Sequence, residues 1–170
     1  MRPPLANERG LSLVEILVAS TIISIGLVGV MTVVPISSYG LQEGKQRSTA
    51  TFLAEQRLEA VRNATWTANP ASDCLGLSPS SSDAPTSTTC PGHAGTFTTF
   101  PDEASVPGFT DYSRTARVTN CGAPPGCGGV TDAGMRLVTV GVTYRPVTAA
   151  EGVAPGAARS VTLDLLVAKR

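Results

Sequence analysis

Three groups of residues have types and spacings that bear on chemistry. Arg9 and Gly10 stand directly before an apolar run in which Glu15 is the charge nearest the start. An ionised carboxylate costs about 2.5 to 3.5 kcal/mol at the centre of a bilayer, so Glu15 favours a cationic partner. Four cysteines, Cys74, Cys90, Cys121 and Cys127, all follow that run. None forms a C-x-x-C, which argues against zinc, and an even number in a small loop-rich region points to disulfides with three possible connectivities. His93 is the single histidine, in a Pro- and Gly-bearing loop. With no G-x-S-x-G, no phosphate loop and no His/Glu pair at metal spacing, the reading is of a protein that is not an enzyme and holds no metal or cofactor.

The elements that must position these residues follow from hydropathy. The 170 residues allow one ordinary domain plus an appendage. Apolar residues make up 42% and charged residues 15%, so some apolar surface faces something other than water. Lys plus Arg and Asp plus Glu balance at 13 each, and Trp66 to Arg170 holds 7 basic and 8 acidic residues, so there is no electrostatic footprint for nucleic acid. From Ile16 to Leu41 the 26 residues carry no charge. As helix they measure about 39 Å, enough to cross a hydrocarbon core of about 30 Å. A secretory signal peptide has a shorter apolar core and a small-residue cleavage site, which this run does not match. A plain transmembrane anchor explains Glu15 as a first-turn acid favoured by the helix dipole but leaves the Arg9-Gly10 junction without a reason.

Gly10 followed by Leu11-Ser12-Leu13-Val14-Glu15 and Ile16-Leu17-Val18-Ala19 resembles the class III leader junction of type IV pilins and pseudopilins. Ile22 to Leu27 and Phe52-Leu53-Ala54-Glu55-Gln56-Arg57-Leu58-Glu59 are similar to minor pilins of the pilus-modification type, so the resemblance covers about the first 66 residues. Leu11 departs from the family, which most often has Phe there. The resemblance implies cleavage after Gly10 by a prepilin peptidase and methylation of the new N-terminus at Leu11, with residues 1–10 as leader. It also implies that Glu15 sets register in assembly by meeting a Leu11 amine. A glycine suits the junction because it offers no side chain to a protease cleft and interrupts helix cheaply. Two unit charges about 4 Å apart gain about 4 kcal/mol at an effective dielectric of 20, before desolvation.

Past the anchor, Ala50, Leu53, Ala54, Leu58 and Val61 share one helical face, with Arg57 at its edge and Glu59 opposite. Glu43 and Arg47 at i, i+4 are expected to pair on the surface. The helical segment is placed at 11–65, with its membrane-spanning part at about 16–41, and Pro35 among Gly26, Gly29, Gly40 and Gly44 is expected to kink or loosen it. Residues 67–95 are rich in Ser, Thr, Pro and Ala and read as a solvated loop. The alternation at Val138–Tyr144 and Val161–Val167 gives two half-buried strands, with Tyr112–Asn120 a third and Gly95–Phe100 a fourth. Asp102, Glu103 and Asp111 read as ordinary polar loop positions, His93 as a solvated one, and Trp66 as a core or interface anchor. The favoured cysteine pairing is Cys74 with Cys90, closing the Ser-rich loop, and Cys121 with Cys127, closing the Gly122–Gly126 turn, and it supposes an oxidising compartment.

The fold class is therefore α+β, a long N-terminal helix packed on a small antiparallel sheet, the head at 66–170. The resemblance implies a structural minor pilin or secretion pseudopilin, anchored in a bacterial inner membrane with its head outside the cytoplasm. Its partners are then the prepilin peptidase, other pilins and inner-membrane lipid. The alternative is a membrane-tethered extracytoplasmic binding domain that does not polymerise.

Overall fold

The computed structural model describes residues 12–146 and 157–170. One long helix, α1 (Leu13–Asn63), is followed by seven strands: β1 (Trp66–Thr67), β2 (Ser72–Asp73), β3 (Thr86–Ser87), β4 (Phe97–Thr98), β5 (Tyr112–Asn120), β6 (Met135–Tyr144) and β7 (Arg159–Ala168). The chain divides into two compact units, one ending at Leu41 and the other running from Gln42 to Arg170. The fold is α+β. The helical assignment runs unbroken through Pro35, so the expected loosening there does not end the helix.

In the second unit, β5, β6 and β7 form an antiparallel sheet with β6 central. The register pairs Tyr112 with Tyr144 and Asn120 with Arg136 on one side of β6, and Tyr144 with Arg159 and Met135 with Ala168 on the other. Side chains of a strand alternate between faces, so one face of β6 carries Val138, Val140 and Val142, all fully buried. Against them lie Ala50, Leu53, Ala54, Leu58 and Val61 of α1, the stripe that the helical period selects. Each fully buried Leu or Val contributes about 1.5 to 3 kcal/mol relative to exposure, so this contact is the main source of stability in the head. On the opposite face Thr139 donates from Oγ1 to Asp164 at 2.6 Å, an exposed cross-strand bond.

The structure corrects four expectations. Phe97–Thr98 does not extend the main sheet but pairs with Thr86–Ser87 in a separate ribbon. The outer edge of β5 is already occupied: Glu103 exchanges backbone bonds with Arg114, and the amides of Ser78 and Val106 donate to the carbonyls of Val118 and Tyr112. Residues 67–95 are not simply a solvated loop, since Leu75 is fully buried and Pro85, Ser87 and Cys90 are buried with it. Glu43 pairs with Arg159 rather than with Arg47. Arg159 opens β7 beside the helix, and a partly shielded pair there outcompetes an exposed i, i+4 pair worth a few tenths of a kcal/mol. Finally, Glu103 and Asp102 are the carboxylates of two ion-paired fastenings described below, whereas Asp111 is exposed as expected.

Candidate functional site

The start of α1 is where the sequence concentrates its chemistry. Gly10 and Leu11 lie outside the described residues, as do residues 1–9. From Ser12 onward the geometry is that of a helix start. The Ser12 carbonyl accepts from the amides of Glu15 at 2.9 Å and Ile16 at 3.2 Å, which makes Ser12 the capping residue and puts Glu15 three positions into the first turn. Ser-x-x-Glu is the capping-box spacing. That signal was present in Ser12-Leu13-Val14-Glu15, and reading the glutamate only for its charge passes over it. The helix N-terminus favours negative charge at this position by about 0.3 to 1 kcal/mol. The Glu15 side chain is exposed and enters none of the ion pairs among the described residues.

The following helix is built to leave its apolar surface uncovered. Leu13–Met31 has a mean hydropathy of 2.3, and none of it is buried within the chain. Leu13, Ile22 and Ile25 expose 77%, 65% and 69% of their surface, an arrangement that only lipid or other apolar chains make favourable. Its hydroxyls are satisfied locally. Thr21 Oγ1 donates to the Leu17 carbonyl at 2.8 Å, and Ser24 Oγ donates to that of Ser20 at 2.7 Å. In hydrocarbon an unsatisfied polar group costs several kcal/mol, so these bonds let Ser and Thr sit in an apolar helix.

The second unit holds its loops by covalent and ionic fastenings. Cys74 is bonded to Cys90 and Cys121 to Cys127, with Cα atoms 4.6 and 4.9 Å apart. The first bridge ties the Ser-rich segment to itself, and the second closes the turn after β5. Beside the first, Asp73 Oδ1 accepts from the amides of Leu75 at 3.2 Å and Gly76 at 2.8 Å and from Arg136 at 2.7 Å. Burial pushes the Asp73 carboxyl up, but the Arg136 guanidinium and the two amides outweigh it and hold it below the ordinary value. Arg136 in turn lies over the Trp66 ring, 4.2 Å from its centroid. Gly76 has φ +72°, and a Cβ there would fall 2.7 Å from the Thr86 carbonyl oxygen, so only glycine fits this corner.

A second fastening joins the helix to the segment before β5. Glu103 bridges Arg57 of α1 and Arg114 of β5, and Arg114 also donates to the Leu53 carbonyl and to Gln56 Oε1, both at 3.0 Å. Burial, then the neighbouring Arg57 cation, draws Arg114 below its ordinary value, while Glu103 opposes the shift. Arg117 pairs with Asp102 and reaches the carbonyls of Ser81 and Ser82, tying the Ser-rich segment to the sheet. Sequence reasoning missed these carboxylates because nothing along the chain marks which loop acid meets which strand arginine. His93 is exposed and stacks on Phe97 with centroids 3.9 Å apart. No group of three or more His, Cys, Asp or Glu suited to a metal ion occurs among the described residues.

Residues 5–31 match the prokaryotic N-terminal methylation motif. No curated protein and no solved structure matches the chain. Gly10, the first-turn glutamate and the uncovered apolar helix all fall within that one matched segment, which supports a type IV pilin-like family.

Proposed function

We propose that this protein is a structural minor pilin, or a secretion pseudopilin, that joins or primes a type IV pilus-like filament. The observation that carries the reading is the methylation motif at 5–31, whose part from Leu13 to Met31 is an apolar helix that the chain itself leaves bare. In this reading a prepilin peptidase cuts after Gly10 and the Leu11 amine is methylated, which keeps its positive charge. The anchor first holds the subunit in the inner membrane, with the disulfide-bonded head in an oxidising compartment outside the cytoplasm. On assembly the apolar surface of Leu13–Met31 exchanges lipid for the helices of other pilins. Glu15 is exposed in the first turn, where its carboxylate meets the Leu11 amine of a neighbouring subunit and fixes register. The role is structural and not enzymatic.

Two measurements test this. Intact mass and N-terminal sequencing of the mature protein should give a chain beginning at methylated Leu11; a chain beginning at Met1 or Thr21 overturns the processing step. Glu15→Gln keeps size and removes charge, leaving the amine without its counter-ion, a loss of about 3 to 5 kcal/mol for a buried pair. Cleavage should survive, while the protein vanishes from sheared filaments and persists in membranes, with Gly10→Asp as the unprocessed control. Normal incorporation of Glu15→Gln would favour a tethered domain that does not polymerise.

A further inference from the structure

The three-stranded sheet has two edges, and the chain treats them differently. That of β5 is covered, as described above. On β7 the Lys169 amide donates to the Gly134 carbonyl at 2.8 Å, which continues the ladder with β6 and fixes its phase. Hydrogen-bonding direction alternates along a strand, so Val161, Leu163, Leu165 and Val167 turn their backbone groups to β6. Those of Thr162, Asp164, Leu166 and Ala168 point outward and meet no backbone partner among the described residues. The register runs through ten pairs without a bulge and the strand contains no proline, so two of the devices that blunt an edge are missing. At Arg170 the chain uses this same edge itself: the Arg170 amide donates to the Trp66 carbonyl and the Ala68 amide to the Arg170 carbonyl, both at 2.9 Å. The addition stops there because the chain before Trp66 is the end of α1. Side-chain burial follows the same division. Val138, Val140 and Val142 of β6 are fully buried, whereas Val161, Leu163, Leu165 and Val167 on the same face of β7 are half-buried, and Leu166 on the other face is 47% exposed. A recess of about 330 Å³ is lined by Arg62 and by residues 165–170.

We propose that the outer edge of β7, from Thr162 to Ala168, is a docking site for an extended segment of another protein, apolar at alternate positions, with a cation opposite Asp164 and an acid opposite Lys169. The backbone selects the extended form. Unpaired N–H and C=O groups recur at every second residue, about 6.8 Å apart, a repeat that an added strand matches. The half-covered row of Val and Leu selects apolar side chains on one face of that strand. Charge then selects against a second copy. Two copies of β7 laid antiparallel at full overlap set Asp164 against Asp164 and Arg159 against Lys169, and like charges directly opposite destabilise a strand pair. A strand of different sequence avoids both conflicts. Thr139 donates to one oxygen of Asp164, which leaves the other for a cation on the added strand. Lys169 is exposed and enters no ion pair among the described residues, so an acid opposite it is unopposed. The site lies wholly within the second unit and does not depend on the filament reading of the first.

The test uses the full chain in detergent micelles and a synthetic peptide, Glu-Thr-Val-Thr-Val-Lys-Val-Thr-Val, whose antiparallel docking sets its Glu against Lys169 and its Lys against Asp164. In one form the valine nitrogens, which turn away from β7 in that register, are methylated, which also keeps the peptide from stacking on itself. In the control form the threonine and lysine nitrogens, which turn toward β7, are methylated instead. Amide hydrogen exchange at Thr162, Asp164, Leu166 and Ala168 should slow about tenfold when the first form is present at ten times its Kd, and should not slow with the control. Asp164→Lys should weaken binding of the first form about fivefold, and exchanging the peptide's Lys for Glu should restore it, with unchanged Trp66 fluorescence showing that the head is folded. Equal exchange with the two forms overturns the docking site. Binding that Asp164→Lys leaves unchanged overturns the charge selection. Slowing at the same four amides that needs no peptide and grows with protein concentration assigns the edge to a second copy and overturns the occupant proposed.

Discussion

Replacing Glu103 by Gln removes one negative charge and almost no volume, and it isolates what the Arg57–Glu103–Arg114 bridge contributes. In the wild type one carboxylate answers two guanidiniums whose side chains are only 12% and 9% exposed. The glutamine can still accept a hydrogen bond, but it leaves two cations facing each other in a shielded site. Breaking a buried pair by removing one partner costs about 3 to 5 kcal/mol. Glu103 is itself 23% exposed, so water reaches the site and the lower figure, about 3 kcal/mol, applies. Urea unfolding in detergent micelles, followed by the buried Trp66, reads the change directly. With a slope of about 2 kcal/mol/M, the midpoint should fall by about 1.5 M at unchanged slope. Arg57→Met in the same background should restore part of the loss, because Arg114 then keeps its bonds to Leu53 and Gln56 without a second cation beside it. A Glu103→Gln midpoint within about 0.3 M of wild type would show that the bridge is solvated and contributes no more than a surface pair.

The two disulfides should differ in worth. Closing 16 residues contributes about 3 kcal/mol and closing 6 about 2 in the chain-entropy account. Cys74→Ser/Cys90→Ser should therefore lower the unfolding midpoint more than Cys121→Ser/Cys127→Ser; the reverse order would place the main constraint in the turn after β5. Asp73, held below its ordinary value, contributes stability that is complete above about pH 4, the unfolded value, and is lost as pH falls through the folded one. Stability against pH should accordingly drop on that acid side in the wild type and less steeply in Asp73→Asn; parallel curves would refute the assignment.

What the sequence made legible was whatever repeats with a short period. The helix stripe Ala50-Leu53-Ala54-Leu58-Val61 and the strand alternation Val138-Val140-Val142 each declare a buried face without reference to any other part of the chain, and the structure presses those two faces together. The cysteines were nearly as legible, because a small number of them in short loops leaves few alternatives. Glu103 illustrates what was not. Its role depends on a backbone exchange with Arg114, 11 residues away, and on a side-chain bond to Arg57, 46 away, and no local pattern encodes either. Leu75 was hidden in the same way: surrounded by Ser, Asp and Gly it looks like part of a loop. It is buried because the Cys74–Cys90 bridge and Asp73 on Arg136 fold that loop over the end of the sheet. The first helix turn gives the opposite case. Its motif is readable because the capping serine, the first-turn glutamate and the apolar run are all set by linear sequence, and they fall within the matched segment 5–31. On the proposed function, the peptidase and the neighbouring amine that would complete that site come from outside the chain.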